Sequence, residues 1–303
     1  MICDLKKIAL DSRIYHKCND AIVISGSARS GTTIVGKIIH SFDNVEYAFE
    51  PPLLYSLFPL ISELNKDHWK LLYETYLYEE FLMSALSGRG INCNLKDDSS
   101  IYKVKPEKLV NDRLNKSLRK IDGEKLATKS RIVYKMPDVV PFLLRLKEYY
   151  PGTTVLIVLR KAVYVFNSLL EKGWFSDKTL REENLVWPNR SLNGMRIPFW
   201  VAPGDDKAWC EMDEMHRIAY YYITVNKPVG KIPGCITVKY DDLIEDPLRT
   251  AKLLAKKLKL HFGEKTLEIL DTVKRTQKNR HMTILEKLKP QIRKQIEHYS
   301  SNS

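Results

Sequence analysis

The sequence has no run of about 18 apolar residues, the length a helix needs to cross a bilayer, and its opening stretch MICDLKKIALDSR holds no apolar core of signal-peptide length. A soluble, cytoplasmic protein without a membrane span is therefore expected. Cysteine is scarce: Cys3, Cys18, Cys93, Cys210 and Cys235 are widely spaced, odd in number and include no CxxC pair. That argues against a disulfide framework, a zinc knuckle or a thioredoxin-type centre, and the thiols are read as reduced. No cluster of metal-ligand side chains stands out, so no metal is expected. Acidic residues are outnumbered, 37 against 49 Lys and Arg, which leaves a net charge of +12. Such an excess points to an anionic partner, whether nucleic acid, anionic lipid or a polyphosphorylated small ligand. Repeats and low-complexity tracts are absent too. With 44% apolar residues and no compositional break, the 303 residues are read as a single domain, 1–303, large enough to bury a core.

What is present is an alternation of strand-like and helix-like segments. An apolar run at 21–24 breaks into a glycine turn at 25–31, followed by a helical pattern over 33–41. Leu, Tyr and Phe recur at helical spacing over 55–86, and 88–100 is polar loop. A strand at 132–134 leads to a helix opened by Pro137 and stopped by Pro151-Gly152. The run TTVLIVL, ending at Leu159, is β-branched without alternation, as in a parallel strand buried on both faces. A helix then runs to Lys172 before Gly173. A last strand at 235–239 leads to Tyr240, and Asp246-Pro247 caps and opens a helix reaching about residue 259. The fold class is α/β, a central parallel sheet flanked by helices. Ligands of such sheets bind beyond the carboxyl ends of the strands, where Ser25, Lys135, Arg160 and Tyr240 fall. The segment 174–230, with Trp174, Trp187, Trp200 and Trp209, reads as an irregular insertion.

The turn Gly26-Ser27-Ala28-Arg29-Ser30-Gly31-Thr32-Thr33 has the glycine spacing of a nucleoside-triphosphate loop. That loop requires Lys directly after the second glycine to reach the β- and γ-phosphates; Thr32 stands there instead. A cation is supplied earlier, by Arg29. Backbone N–H groups at a glycine turn and helix N-terminus hold an anion without metal, and a guanidinium can make paired hydrogen bonds to phosphate or sulfate oxygens.

GSARSGTT resembles the 5′-phosphosulfate loop of the P-loop sulfotransferase superfamily, enzymes that use 3′-phosphoadenosine 5′-phosphosulfate (PAPS). The spacing is nearest to tyrosylprotein-sulfotransferase-like and bacterial members. LIVLRKAVYVFNS is similar to the family's second signature, in which a strand-end Arg and a Ser eight residues later bind the donor's 3′-phosphate; here these are Arg160 and Ser168. VKYDDLIEDP is similar to a third segment and places Tyr240 near the nucleotide. The similarity runs in islands from residue 22 to residue 260, while 53–130 and 174–230 match nothing known in the family. The resemblance implies a P-loop sulfotransferase fold, PAPS as donor substrate with adenosine 3′,5′-bisphosphate (PAP) as product, no metal, and Arg29, Ser30, Gly31, Thr32 and Thr33 around the phosphosulfate.

It also implies chemical roles. Glu50, in AFEPP, stands where a glutamate is the catalytic base in tyrosylprotein sulfotransferases and some bacterial relatives. Lys135, in YKMPD, resembles the lysine that contacts the bridging and sulfuryl oxygens, and with Arg29 it is expected to stabilise the leaving phosphate. Lys172 is a further candidate for the 3′-phosphate. The family closes its site with a late basic, glycine-containing loop; the nearest segment here, KRTQKNR at 274–280, has the charge without the glycine, which leaves Lys278 and Arg280 as the donor contacts. His40, His68 and His281 are alternative bases. The acceptor is expected to be a hydroxyl or amine of a small-molecule metabolite or carbohydrate, bound by aromatic residues of 55–86 and 174–230. Two rivals remain. A P-loop small-molecule kinase is disfavoured by Thr32. A non-catalytic polyanion binder is disfavoured because no nucleic-acid module is present, so no nucleic-acid partner is expected. Nothing in the sequence bears on oligomeric state.

Overall fold

The computed structural model describes residues 10–97, 99–115, 120–182, 188–273 and 282–301. Five strands, β1 (Ile22–Ser25), β2 (Val45–Phe49), β3 (Arg131–Lys135), β4 (Thr154–Leu159) and, after a hairpin β5 (Asn189–Leu192) and β6 (Met195–Pro198), β7 (Ile236–Lys239), build the molecule's order. The large sheet runs β2-β3-β1-β4-β7, and every pairing in it is parallel. Ile24 lies opposite both Lys135 and Leu156, Phe49 opposite Lys135, and Leu159 opposite Lys239. The carboxyl ends therefore line up along one edge.

The β-branched runs explain this sheet, because both of its faces are covered. Val23, Val155 and Ile157 point into one apolar cluster, while Ile22, Ile24, Leu156 and Val158 point into the other. The first cluster is completed by helices Val140–Tyr149, Ala162–Lys172 and Glu214–Asn226, the second by helices Thr32–His40 and Pro247–Leu258. The connection leaving β1 runs to one side of the sheet, to β2, and that leaving β4 runs to the other, to β7. Between two such strands the loops part and a crevice opens.

Three expectations need correction. The helix expected to open at Pro137 begins at Val140, with Pro141 in its first turn; Asp138 has a left-handed backbone (φ 74) and gives its N–H to the Gly26 carbonyl at 3.1 Å, which no helical residue there could do. The stretch 55–86 is helical as expected but not one helix: Pro52–Leu57 is separate, while Lys66–Glu74, a π-helical Thr75–Met83 and Ser84–Leu86 follow one another without a break. Segment 174–230 is not irregular: it holds helix Asp177–Arg181, the β5–β6 hairpin, and helices Asp206–Glu211 and Glu214–Asn226. Its elements are too short for periodicity to reveal, and they are fastened by side chains. Phe175, Trp200, Trp209 and Tyr221 pack ring against ring at 4.9–6.0 Å. The buried Arg217 bonds the carbonyls of Phe175, Trp209 and Cys210 and pairs with Asp177 at 2.6 Å. Trp187 lies outside the described residues. Among the described residues no helix is long and apolar enough to cross a membrane.

Candidate active site

The glycine turn leaves β1 at Ser25 and folds across the end of β4. At Gly26 (φ 141) a Cβ would stand 2.5 Å from the Val158 carbonyl oxygen, and at Gly31 (φ 102) it would stand 2.2 Å from the Tyr240 ring. Only glycine fits either place. Gly31 caps helix Thr32–His40 and no side chain bonds that helix start, so the first-turn N–H groups have no partner from a cap. Beside them the Ser30 hydroxyl is buried and has no hydrogen-bond partner among the described residues. A sequestered hydroxyl at a glycine turn and helix N-terminus fits an oxyanion.

On one flank the basic residues interlock. Arg29 donates from Nε to Ser168 Oγ at 2.9 Å and lies 5.7 Å from the Trp174 ring. Arg160 donates to the Arg29 carbonyl at 2.8 Å, and its guanidinium lies 4.4 Å over the Tyr240 ring. Arg160 and Ser168 thus meet through Arg29, and three segments distant in sequence converge: the glycine turn, the stretch from Arg160 to Trp174, and Tyr240. On the other flank Lys135 Nζ pairs with Glu50 Oε1 and donates to Thr33 Oγ1 at 3.3 Å, while its ammonium sits 4.0 Å from the Phe49 ring. The Lys135 side chain is 1% exposed, that of Glu50 24%. Burial holds the lysine pKa below its ordinary value, with the Glu50 charge acting against that shift. Arg29 (φ 68), Glu50 (φ 45) and Asp138 (φ 74) all take left-handed backbone on this one edge, a concentration of strain of the kind found at functional sites.

A cavity of about 360 Å³ opens on this second flank, lined by Arg29, Thr32, Thr33, Glu50, Lys135 and Asp138 and walled by Tyr55, Trp174, Phe175, Phe199 and Trp200; Ser30, Arg160, Ser168 and Tyr240 do not line it. The tryptophan-rich segment supplies most of the aromatic wall; of 55–86, Tyr55 alone lines it.

Five solved structures similar to this chain are all sulfotransferases. The sulfotransferase domain of the Synechococcus PCC 7002 olefin synthase is 13% identical, with 93% of each chain covered and a TM-score of 0.46. The sulfotransferase domain from the curacin biosynthetic pathway is 14% identical over 82% of this chain and 77% of its own, with a TM-score of 0.47. Sulfotransferase STF1 from Mycobacterium tuberculosis H37Rv is 13% identical over 100% of this chain and 80% of its own, with a TM-score of 0.44. No known family profile matches the sequence, and no curated protein does. At such identities and TM-scores the likeness assigns no role to this chain, and the roles proposed below rest on the residues themselves.

Other sequence candidates stand apart. Lys172 is the exposed last residue of helix Ala162–Lys172, before Gly173 (φ 61), and makes no hydrogen bond or ion pair among the described residues. Lys278, Arg280 and His281 lie outside the described residues. Neither His40 nor His68 lines the cavity; burial holds the His40 pKa well below its ordinary value. Among the described residues no group of three or more His, Cys, Asp or Glu side chains is placed to hold a metal.

Sequence reasoning passed over Asp138 and Tyr221. The Tyr221 hydroxyl donates to the Asp138 carboxylate and accepts the Ala28 N–H, so the glycine turn, the loop that follows β3 and helix Glu214–Asn226 form one network. Burial pushes the Asp138 pKa up to about 7, against the pull of the Tyr221 hydrogen bond, and the nearby Glu50 charge adds to the rise. The available signal was the position of Asp138 just beyond a strand end, at the edge where ligands bind.

Proposed function

We propose that this chain transfers the sulfuryl group of PAPS to a hydroxyl or amine of a small-molecule metabolite or sugar. The observation that carries the reading is the Lys135–Glu50 pair at a glycine turn without the triphosphate lysine, inside a cavity with room for an acceptor. The turn's N–H groups, the Ser30 hydroxyl and Thr32 and Thr33 receive the phosphosulfate. Arg160 and Ser168, with Arg29 between them, receive the 3′-phosphate, and Tyr240 lies against the nucleotide. Glu50 accepts the proton of the attacking hydroxyl or amine as its oxygen or nitrogen bonds sulfur and the bond from sulfur to the bridging oxygen breaks. Lys135 and Arg29 meet the negative charge that grows on the departing phosphate, and PAP leaves.

The pairing supports this division of labour in two ways. Lys135, being desolvated, acts on nearby charge more strongly than a solvated lysine would. Glu50, the more exposed partner, keeps one face toward the cavity side from which an acceptor arrives. The test is transfer from PAPS labelled in its sulfuryl group to a panel of phenols, alcohols, amines and sugars, without added metal. Labelled product from the wild type, lowered at least about a hundredfold in Glu50→Gln with PAP binding retained, is the expected result. Undiminished transfer by Glu50→Gln removes the base; labelled product from ATP and none from PAPS replaces the reading with a kinase.

A further inference from the structure

The cavity contains a cation that the proposed reaction leaves unused. Arg196 sits on β6, where Met195 and Ile197 are buried in the core at 1% and 0% exposure. Strand alternation therefore turns Arg196 and Pro198 to the other face, and both line the cavity. No acceptor or ion-pair partner engages the Arg196 guanidinium among the described residues, and its Nη1 is closed off from solvent with no partner. Neighbouring arginines of the same segment are treated differently: Arg190 pairs with Asp206 at 2.6 Å and Arg217 with Asp177 at 2.6 Å. The other two cations of the cavity are also engaged, Arg29 by Ser168 and Lys135 by Glu50.

An arginine that lines the same cavity as aromatic rings and has no counter-charge among the described residues is poised for a ligand that supplies one. We infer, building on the sulfotransferase reading, that the acceptor is a hydroxylated aromatic carboxylic acid whose carboxylate is held by Arg196. The planar guanidinium matches a carboxylate in paired hydrogen bonds. Trp174, Phe199 and Trp200 offer flat apolar surface for an aromatic body. A volume of about 360 Å³ lies at the small end of ligand pockets, which suits a compact acid. Arg196 is then a specificity-determining residue: it selects the molecule, while Glu50 acts on the hydroxyl.

The experiment is calorimetric titration of the full chain, saturated with PAP, with 4-hydroxybenzoate, 4-hydroxyphenylacetate and 3-(4-hydroxyphenyl)propionate, each beside its methyl ester. Wild type, Arg196→Met and Arg196→Lys are compared. At least one acid is expected to bind tenfold or more tightly than its ester. Arg196→Met erases that preference while leaving ester affinity within about twofold, and Arg196→Lys keeps part of it. Equal binding of acids and esters by the wild type overturns the inference, as does an equal loss of both in Arg196→Met. PAP affinity of each variant confirms that it is folded. If PAP itself fails to bind the wild type, the sulfotransferase reading falls, and the acid-against-ester comparison on the chain without PAP still decides the role of Arg196.

Discussion

The Tyr221 hydroxyl donates to the Asp138 carboxylate, a contact that ties the aromatic segment to the end of β3. Because the same hydroxyl accepts the Ala28 N–H, the glycine turn is held from a helix nearly two hundred residues further along the chain. The Asp138 pKa of about 7 lies above the ordinary carboxylate value near 4 that it has in the unfolded chain. The folded protein thus binds more protons between roughly pH 4 and 7, and its stability must fall as pH rises through that window. Thermal unfolding midpoints of the wild type are expected to drop from pH 5 to pH 8 more steeply than those of Asp138→Asn, which cannot titrate. Parallel curves would contradict the assignment. Tyr221→Phe, losing both bonds of the hydroxyl, is expected to cost about 1–3 kcal/mol, read by chemical denaturation.

Glu50→Gln separates chemistry from binding. Glutamine keeps an oxygen for the Lys135 ammonium, so the buried lysine is not stranded. It cannot take a proton. The expected outcome is a fall in kcat of about 10²–10⁴ with little change in KM for PAPS. A drop confined to KM would mean that Glu50 positions rather than reacts.

Gly31 and Tyr240 should be energetically coupled. Gly31→Ala places a Cβ against the Tyr240 ring at 2.2 Å in left-handed backbone, with an expected loss of about 2–4 kcal/mol from strain and overpacking together. In the double variant with Tyr240→Ala the steric part disappears, so the summed single effects exceed the double by about 1 kcal/mol or more. Strict additivity would show that the close approach has no energetic weight.

Arg160 and Ser168 are expected to act on the donor's 3′-phosphate. Ser168→Ala removes a hydrogen bond to a guanidinium and should weaken PAP binding by roughly tenfold. Arg160→Met should weaken it further, since it also abandons the Arg29 carbonyl and the Tyr240 ring. Adenosine 5′-monophosphate, which has no 3′-phosphate, should bind weakly and equally to all three proteins.

The parts legible in the sequence are those whose physics is local. TTVLIVL must be a strand buried on both faces, and β4 is (Thr154–Leu159); Gly173 must end a helix, and it caps Ala162–Lys172 in left-handed backbone; Asp246-Pro247 caps and opens its helix as expected. Strand-end positions likewise located Ser25, Lys135, Arg160 and Tyr240 on one edge, whereas Arg29 was read from the glycine turn and Glu50 from the family resemblance. What escaped depends on distant partners. Asp138 gains its environment from Tyr221, and nothing near either residue in the sequence announces the other. The hairpin that presents Arg196 has strands of four residues, too short to show alternation, and it is kept in place by tryptophans and by Arg217, whose partners are mostly carbonyls.

The central claim is a donor site built for a phosphosulfate nucleotide without metal, and calorimetric titration with PAP tests it most directly, with ATP and magnesium as comparison and Arg160→Ala as control. Micromolar binding of PAP in the absence of metal, lost in Arg160→Ala and absent for ATP, is the predicted result. Binding of ATP with magnesium and none of PAP would contradict it.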